Sequence, residues 1–143
     1  VGLESGLMIV QYSAAASLGE LHGHASPRTA FSTPTSAGQE DHVSMGSTAC
    51  WNLLQAVNRA SEVTACELFV ARRGLHFIEN RSSKQIEVLK RCIDTIVIDD
   101  LSDRMTSSEL RRIASELLQS GWLSLIESES NRIPKLIRDI SLF

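Results

Sequence analysis

The chain has 143 residues, 43% of them apolar, which is enough for one domain with a buried core. Its 14 basic and 17 acidic residues give a net charge of -3 and form no long block of one sign, which argues against a dedicated nucleic-acid-binding protein. The most apolar N-terminal stretch is too polar for a membrane span and has no basic residues before it. We therefore expect a cytoplasmic protein without a membrane partner.

The cysteines and the paired histidines form no pattern typical of a metal site. Cys50, Cys66 and Cys92 lie inside apolar segments, and their spacing matches no metal framework. We expect them to be buried, reduced thiols. His22 and His24 lie close together in a polar stretch but have no evident third ligand, so no metal site is predicted.

Apolar residues at helical spacing predict helices along most of the chain. Residues 3–21 form the first predicted helix, which is rich in small residues that would let a neighbouring helix pack closely. Residues 22–38 form a loop rich in Gly, Pro, Ser and Thr, and loops of this length in compact domains are often functional. Residues 43–73 form a long second helix, for which Gly74 provides the end.

The last third of the chain is also predicted to be helical. Residues 82–96 are amphipathic, and a further helix is predicted to begin at a capping box of Thr106 and Glu109 and to end at Gly121. Pro134 marks a break before a short amphipathic tail. The predicted fold class is therefore all-α, a bundle of long helices.

The most polar candidate site is the Gln-Glu-Asp-His run at residues 39–42. Acidic residues are favoured in the first turn of a helix, so Glu40 and Asp41 have a purely structural interpretation. The run also stands where a long loop meets a helix, with Gly38 before it and Gly46 soon after. A carboxylate held there could act as an acid or base, or could bind an amino group or a ring nitrogen. The residue types leave both interpretations open.

Three segments resemble the C-terminal part of the histidine ammonia-lyase family: GLMIVQYSAAASLGEL, SPRTAFSTPTSAGQEDHVSMG and ACELFVARRGLHF. The wider group includes phenylalanine and tyrosine ammonia-lyases and the related aminomutases. The resemblance is strong over residues 2–78, whereas residues 79–143 match in length and helical character alone. It implies a helical homotetramer in which residues 1–78 belong to the central bundle and carry an active-site loop at 22–42. Residues 79–143 would form a C-terminal helical region.

The resemblance also implies an activity and a cofactor. Family members eliminate ammonia from an aromatic amino acid, or move the amine to the β-carbon in the aminomutases. They use methylidene-imidazolone (MIO), which forms from an internal Ala-Ser-Gly. On this resemblance Gln39 and Glu40 are catalytic and substrate-binding residues, and His42 and Ser44 support the loop.

The resemblance favours L-histidine as the substrate, with urocanate as the product. Glu40 falls where histidine ammonia-lyases have a carboxylate and where the phenylalanine and tyrosine enzymes usually have Gln. A tyrosine or phenylalanine ammonia-lyase or a 2,3-aminomutase is the alternative, because Ser26 and Phe31 replace a histidine and an aspartate of the histidine-enzyme pattern. Gly38 stands where Asn is usual.

The Ala-Ser-Gly triad does not occur in this sequence, since none of its Ala-Ser pairs is followed by glycine. We therefore expect the chain to be inactive alone, to supply one wall of an active site, and to need the N-terminal part of the same enzyme as its partner. A hypothesis of another class is a non-catalytic oligomerisation module or the partner half of a split enzyme. On this second hypothesis exposed apolar stripes predict that the isolated chain self-associates or aggregates.

Overall fold

The computed structural model describes residues 5–79, 82–119 and 121–129. Helices are the only regular elements among these residues, and no β-strand occurs among them. The all-α prediction is confirmed. The predicted break at Pro134 lies outside the described residues. The helices are α1 (Leu7–His24), α2 (Gly46–Gly74), α3 (Lys84–Asp94), α4 (Ser107–Leu118) and α5 (Gly121–Glu129).

Helices α1 and α2 form an antiparallel pair. Near the middle of the pair, the Ser17 hydroxyl donates to Glu62 Oε2 at 2.8 Å, and Arg59 Nε lies 2.6 Å from Glu20 Oε2. At one end His24 contacts Asn52, and this end is continuous with the loop between the two helices. Helix α1 ends three residues later than the sequence predicted, so both histidines of the His-Gly-His run lie in its last turn.

The core lies at the other end of this pair, where the second half of α2 meets α3, α4 and α5. Its buried apolar residues are Val10, Ala65, Cys66, Phe69, Val88, Cys92, Ile93, Ile96, Val97, Ile113, Ala114 and Trp122. Residues 65, 66 and 69 follow the three-to-four-residue spacing of one helix face, and this face of the second half of α2 is turned toward the core. The predicted end of α2 at Gly74 is confirmed.

Two arginines at the end of α2 hold the segment between α3 and α4. Arg72 forms an ion pair with Asp94 at the end of α3. Arg73 donates to the carbonyl oxygens of Asp100, at 3.2 Å, and Leu101. The contacts fix residues 95–106 against α2 although this segment contains no helix.

The predicted capping box at Thr106 and Glu109 is wrong. Thr106 makes no side-chain cap hydrogen bond. Glu109 is buried, and its Oε1 accepts from the backbone N–H of Ile98 at 2.8 Å, while Oε2 lies 3.0 Å from Arg104 Nη1. A buried N–H and a guanidinium gain more from a carboxylate than the exposed start of a helix would.

Two further predictions need correction. Helix α4 ends at Leu118, and Gly121 begins α5 instead of ending α4. Cys50 is exposed, whereas Cys66 and Cys92 are buried as predicted. The apolar neighbours of Cys50 suggested burial, but the first half of α2 contributes no buried apolar side chain to the described core.

Within the described residues, no helix combines the length and the apolar character that crossing a membrane requires.

Candidate active-site loop

The segment from residue 25 to residue 45 connects α1 to α2 and has no buried side chain. It holds two short 3-10 turns, Arg28–Phe31 and Ser36–Gly38. Pro27 precedes the first turn with extended backbone, at φ -65° and ψ 127°, which stops α1 from continuing into the loop.

The tip of the loop is a tight turn closed by two backbone hydrogen bonds. Thr35 N donates to Glu40 O at 2.9 Å, and Glu40 N donates to Thr35 O at 3.3 Å. Between them, Ser36, Ala37 and Gly38 have φ values of 53°, 55° and 85°. Glycine adopts such values without penalty, but Ser36 and Ala37 each pay about 1 kcal/mol or more. Strained backbone of this kind is concentrated at functional sites, which makes the turn a candidate.

The residues of the Gln-Glu-Asp-His run follow this turn and are all exposed. Gln39 and Glu40 make no side-chain hydrogen bond or ion pair with any described residue, and the same holds for Asp41 and His42. The two side chains assigned to the site by resemblance therefore lie next to each other on a strained turn, with their polar groups available to a ligand.

The interpretation of this run as the first turn of a helix is wrong. Helix α2 begins at Gly46, and its first turn contains no acidic residue. The reason is a contact across the loop: the Ser32 hydroxyl accepts from Val43 N and donates to Val43 O, both at 3.0 Å. The contact keeps Val43 out of the helix. Ser44 lies after it, and its Oγ accepts from Gly46 N at 3.3 Å.

Asn52 on α2 forms hydrogen bonds with the base of the loop, which consists of His24 and Arg28. Asn52 Nδ2 donates to the backbone carbonyl of His24 at 2.7 Å. Asn52 Oδ1 accepts from Arg28 Nη2 at 2.5 Å and lies 2.7 Å from His24 Nδ1. Sequence analysis missed these anchors. Arg28 could have been found, because it is the one charged residue in the otherwise uncharged stretch 25–39.

The described residues contain no cluster of three or more His, Cys, Asp or Glu side chains that could hold a metal ion. His24 is engaged with Asn52, and His22 is exposed in the last turn of α1.

A cavity lies elsewhere on the described residues. It is an open apolar groove of about 670 Å³ between the first half of α1 and the second half of α2, and residues such as Val10, Val63 and Val70 line it. The second half of α1, about 15 Å from Ala14 to His24, separates this groove from the loop. A groove with so few polar groups does not offer the acid, base or hydrogen-bonding chemistry that the loop offers.

A family model and individual known proteins that resemble this chain all point to the same family. The family model described as "Aromatic amino acid lyase" matches residues 1–95. The histidine ammonia-lyase of Deinococcus radiodurans is 35% identical over 133 residues, which is 93% of this chain and 25% of that protein. The histidine ammonia-lyase of Streptomyces coelicolor is 50% identical over 78 residues, 54% of this chain and 15% of that protein.

A solved structure agrees with these relatives. The crystal structure of histidine ammonia-lyase from Trypanosoma cruzi has a TM-score of 0.84 and 26% identity, and the match covers 94% of this chain and 26% of that one. The chain thus spans about a quarter of the length of relatives that match nearly all of it. Both the family model and these similarities lead to one conclusion: the chain belongs to the aromatic amino acid lyase family.

Proposed function

We propose that this chain is the C-terminal segment of an ammonia-lyase that eliminates ammonia from an aromatic amino acid, with L-histidine as the substrate. Residues 1–78 would belong to the central bundle of a homotetramer, and residues 79–143 would form the C-terminal helical region. The loop at 22–42 would supply one wall of the active site. The observation that carries the proposal is the pairing of Gln39 and Glu40 on an exposed, strained turn, with neither side chain engaged by a described residue.

The chemistry of the two side chains fits this role. A carboxylate at Glu40 accepts hydrogen bonds and protons, so it can bind an imidazole N–H or an amino group and can take up a proton. The Gln39 carboxamide both donates and accepts, so it can orient a substrate without adding charge. His42 and Ser44 would support the loop, and the bond from Gly46 N to Ser44 Oγ is a contact through which Ser44 could do so.

The cofactor would come from outside this segment. MIO supplies the electrophile in the ammonia-lyases that the chain resembles, and residues 1–143 contain no Ala-Ser-Gly from which it could form. The isolated chain is therefore predicted to be inactive and to require the N-terminal part of the same enzyme. A free carboxylate and carboxamide on one turn are suited to face such a group across a cleft.

Steady-state assays of the full-length enzyme with L-histidine, L-tyrosine and L-phenylalanine test the proposal. Urocanate as the product supports the histidine assignment, whereas cinnamate-type acids or β-amino acids would replace it with the alternative of an aromatic lyase or a 2,3-aminomutase. Absence of turnover with all three would contradict the proposed function.

A substitution tests the role of Glu40. Glu40→Gln removes the charge and keeps the shape, so kcat/KM for L-histidine should fall at least about tenfold. Asp41→Asn is the matched control, because Asp41 is the neighbouring exposed carboxylate and should be replaceable with little effect. Equal losses in the two variants would remove Glu40 from the site.

One observation favours the second hypothesis, that of an oligomerisation module or the partner half of a split enzyme. Large apolar side chains are exposed on both long helices, among them Ile9 on α1 and Trp51 and Leu53 on α2. The hypothesis predicts self-association of the isolated chain, which light scattering measures. A homogeneous monomer with a cooperative melt would count against it.

A further inference from the structure

The side chain of Asn52 makes three hydrogen bonds, and together they join two separate parts of the loop base. One partner is His24, the last residue of α1, through both its backbone carbonyl and its ring nitrogen. The other is Arg28, the first residue of the following 3-10 turn. A single half-buried amide on α2 therefore fixes the direction in which the chain leaves α1.

The orientation of this amide follows from its partners. A guanidinium can only donate, so the Asn52 atom that faces Arg28 must be the oxygen. The amide nitrogen of Asn52 then donates to the His24 carbonyl. His24 Nδ1 must carry a hydrogen, which it donates to Asn52 Oδ1, the oxygen that also accepts from Arg28. All three bonds are satisfied by one arrangement, which is the property of a specific anchor.

Arg28 depends on this contact. Its Nε is buried without a hydrogen-bond partner among the described residues, and Asn52 is the acceptor for its Nη2. Loss of that acceptor would leave a guanidinium with two unsatisfied nitrogens in a partly buried position, which is costly enough to favour its movement into water. Because Arg28 is part of the loop, the loop would move with it.

The loop has few other means of holding its shape. Its side chains are exposed or half-buried, and the Ser32–Val43 contact closes the neck of its outer part, residues 33–42. The turn bearing Gln39 and Glu40 lies between these residues in sequence. We propose that Asn52 is a positioning residue: through His24 and Arg28 it holds the base of the loop, and so sets where Gln39 and Glu40 lie. The inference rests on the proposed function, because it assigns Asn52 a part in the same site.

The test uses the full-length enzyme and three variants. Asn52→Ala removes all three bonds, and Asn52→Asp keeps acceptors for Arg28 and His24 Nδ1 but loses the donor to the His24 carbonyl. Asn58→Ala is the matched control, since Asn58 is on the same helix and its side chain makes no hydrogen bond with a described residue. Hydrogen exchange over residues 25–45, kcat/KM and Tm are measured for each.

For Asn52→Ala we expect faster exchange confined to residues 25–45 and a loss of kcat/KM between about ten- and a hundredfold, because small misplacements of substrate-positioning groups have effects of that size. Asn52→Asp should restore part of the kcat/KM, and Asn58→Ala should match the wild type. The partial rescue separates positioning from a general loss of stability.

Unchanged exchange and kcat/KM in Asn52→Ala, or equal losses in Asn58→Ala, would overturn the proposal. If Asn52→Ala does not fold, Asn52→Asp replaces it: faster exchange confined to residues 25–45 supports the proposal, and faster exchange throughout the chain overturns it. If the wild-type enzyme turns over no aromatic amino acid, the proposed function fails. The exchange data then still decide whether Asn52 holds the loop.

Discussion

The two ends of the α1–α2 pair are held in place by different kinds of contact. At the core end, buried apolar side chains from the second half of α2 pack against α3 and α4, which in turn contact α5. At the loop end, residues 25–60 contribute no buried residue, and the chain is fixed by polar contacts such as those of Asn52 and Ser32. The core end has its own buried apolar cluster, beside which the open groove exposes further apolar side chains. The loop end has a defined shape without a buried apolar core, and it leaves large apolar side chains such as Trp51 and Leu53 exposed.

This difference separates stability from function along one chain. Burial of apolar side chains supplies most of the free energy of folding, so the core end should dominate the unfolding of the chain. Functional loops are drawn from the less stable parts of a protein, and the strained turn at Ser36 and Ala37 belongs to such a part. Substitutions at the two ends should therefore have effects of different kinds and sizes.

The largest expected effect is at Phe69, whose exposed fraction is 0%. The guanidinium groups of Arg73 and Arg104 each lie 5.9 Å from the centroid of its ring. Phe69→Ala should lower the free energy of unfolding of the 143-residue chain by about 3 to 5 kcal/mol, measured by urea unfolding.

Trp51→Ala is the control at the loop end, because Trp51 is a large aromatic residue on the same helix and is 64% exposed. It should change the free energy of unfolding by about 0.5 kcal/mol or less. Comparable losses in the two variants would break the contrast between the two ends.

The next effect concerns the ion pair that holds the segment before α4. Glu109 is 5% exposed and contacts both Arg104 and the Ile98 N–H. Glu109→Gln keeps an acceptor for Ile98 but leaves Arg104 without its charged partner, so unfolding should become about 2 kcal/mol easier. Glu67→Gln, at an exposed carboxylate that forms no ion pair with a described residue, should be close to neutral, and thermal melts would measure both.

The pH dependence of stability should also arise at the core end. Burial raises the pKa of Asp94, but hydrogen bonds from Lys90 and Arg72 outweigh it, and the pKa is lowered from its ordinary value of 3.8. A carboxyl with a lowered pKa in the folded state stabilises the fold above the unfolded-state value, and this contribution is lost as the pH falls through the folded-state pKa.

Asp94→Asn should therefore flatten the decrease in the free energy of unfolding as the pH falls through 3.8 and below. The effect should be about 1 kcal/mol or less, because the pair is partly exposed to solvent. Urea unfolding across this pH range measures it. Asp41→Asn, at the loop end, serves as the control and should leave the slope unchanged; a change of equal size there would contradict the assignment to Asp94.

The sequence predicts the core end better than the loop end for a physical reason. Helical periodicity indicates where a helix runs, so the second half of α2 and its end at Gly74 follow from local pattern, whereas the burial of Ala65 and Phe69 depends on the helices that pack against α2. The sequence predicts a capping role for Glu109 wrongly, because the partner of its carboxylate, Ile98 N–H, lies in a segment whose position depends on the tertiary fold. Local capping preference cannot compete with a buried partner.

At the loop end the determining contacts are longer in range. Ser32 keeps Val43 out of α2 from 11 residues away, and Asn52 reaches Arg28 across 24 residues. No local pattern signals either contact, so the sequence predicts the start of α2 too early, at residue 43 instead of Gly46, and does not indicate the anchors. Gln39 and Glu40 were found because a sequence motif carries them, and their assignment to the site remains a prediction.

The smallest perturbation sharpens the contrast between the two ends without altering stability. Cys66 and Cys92 are buried at the core end, where desolvation raises the pKa of each thiol and so keeps it protonated and unreactive. Cys50 lies exposed near the start of α2. A thiol reagent should therefore modify one cysteine rapidly in the folded 143-residue chain and all three after unfolding in urea. Cys50→Ser should abolish the rapid reaction and leave the unfolding curve unchanged, because an exposed thiol contributes little to packing. Rapid reaction at Cys66 would mean that the core end opens as readily as the loop end, and the division between a stable core and a polar, functional loop would not hold.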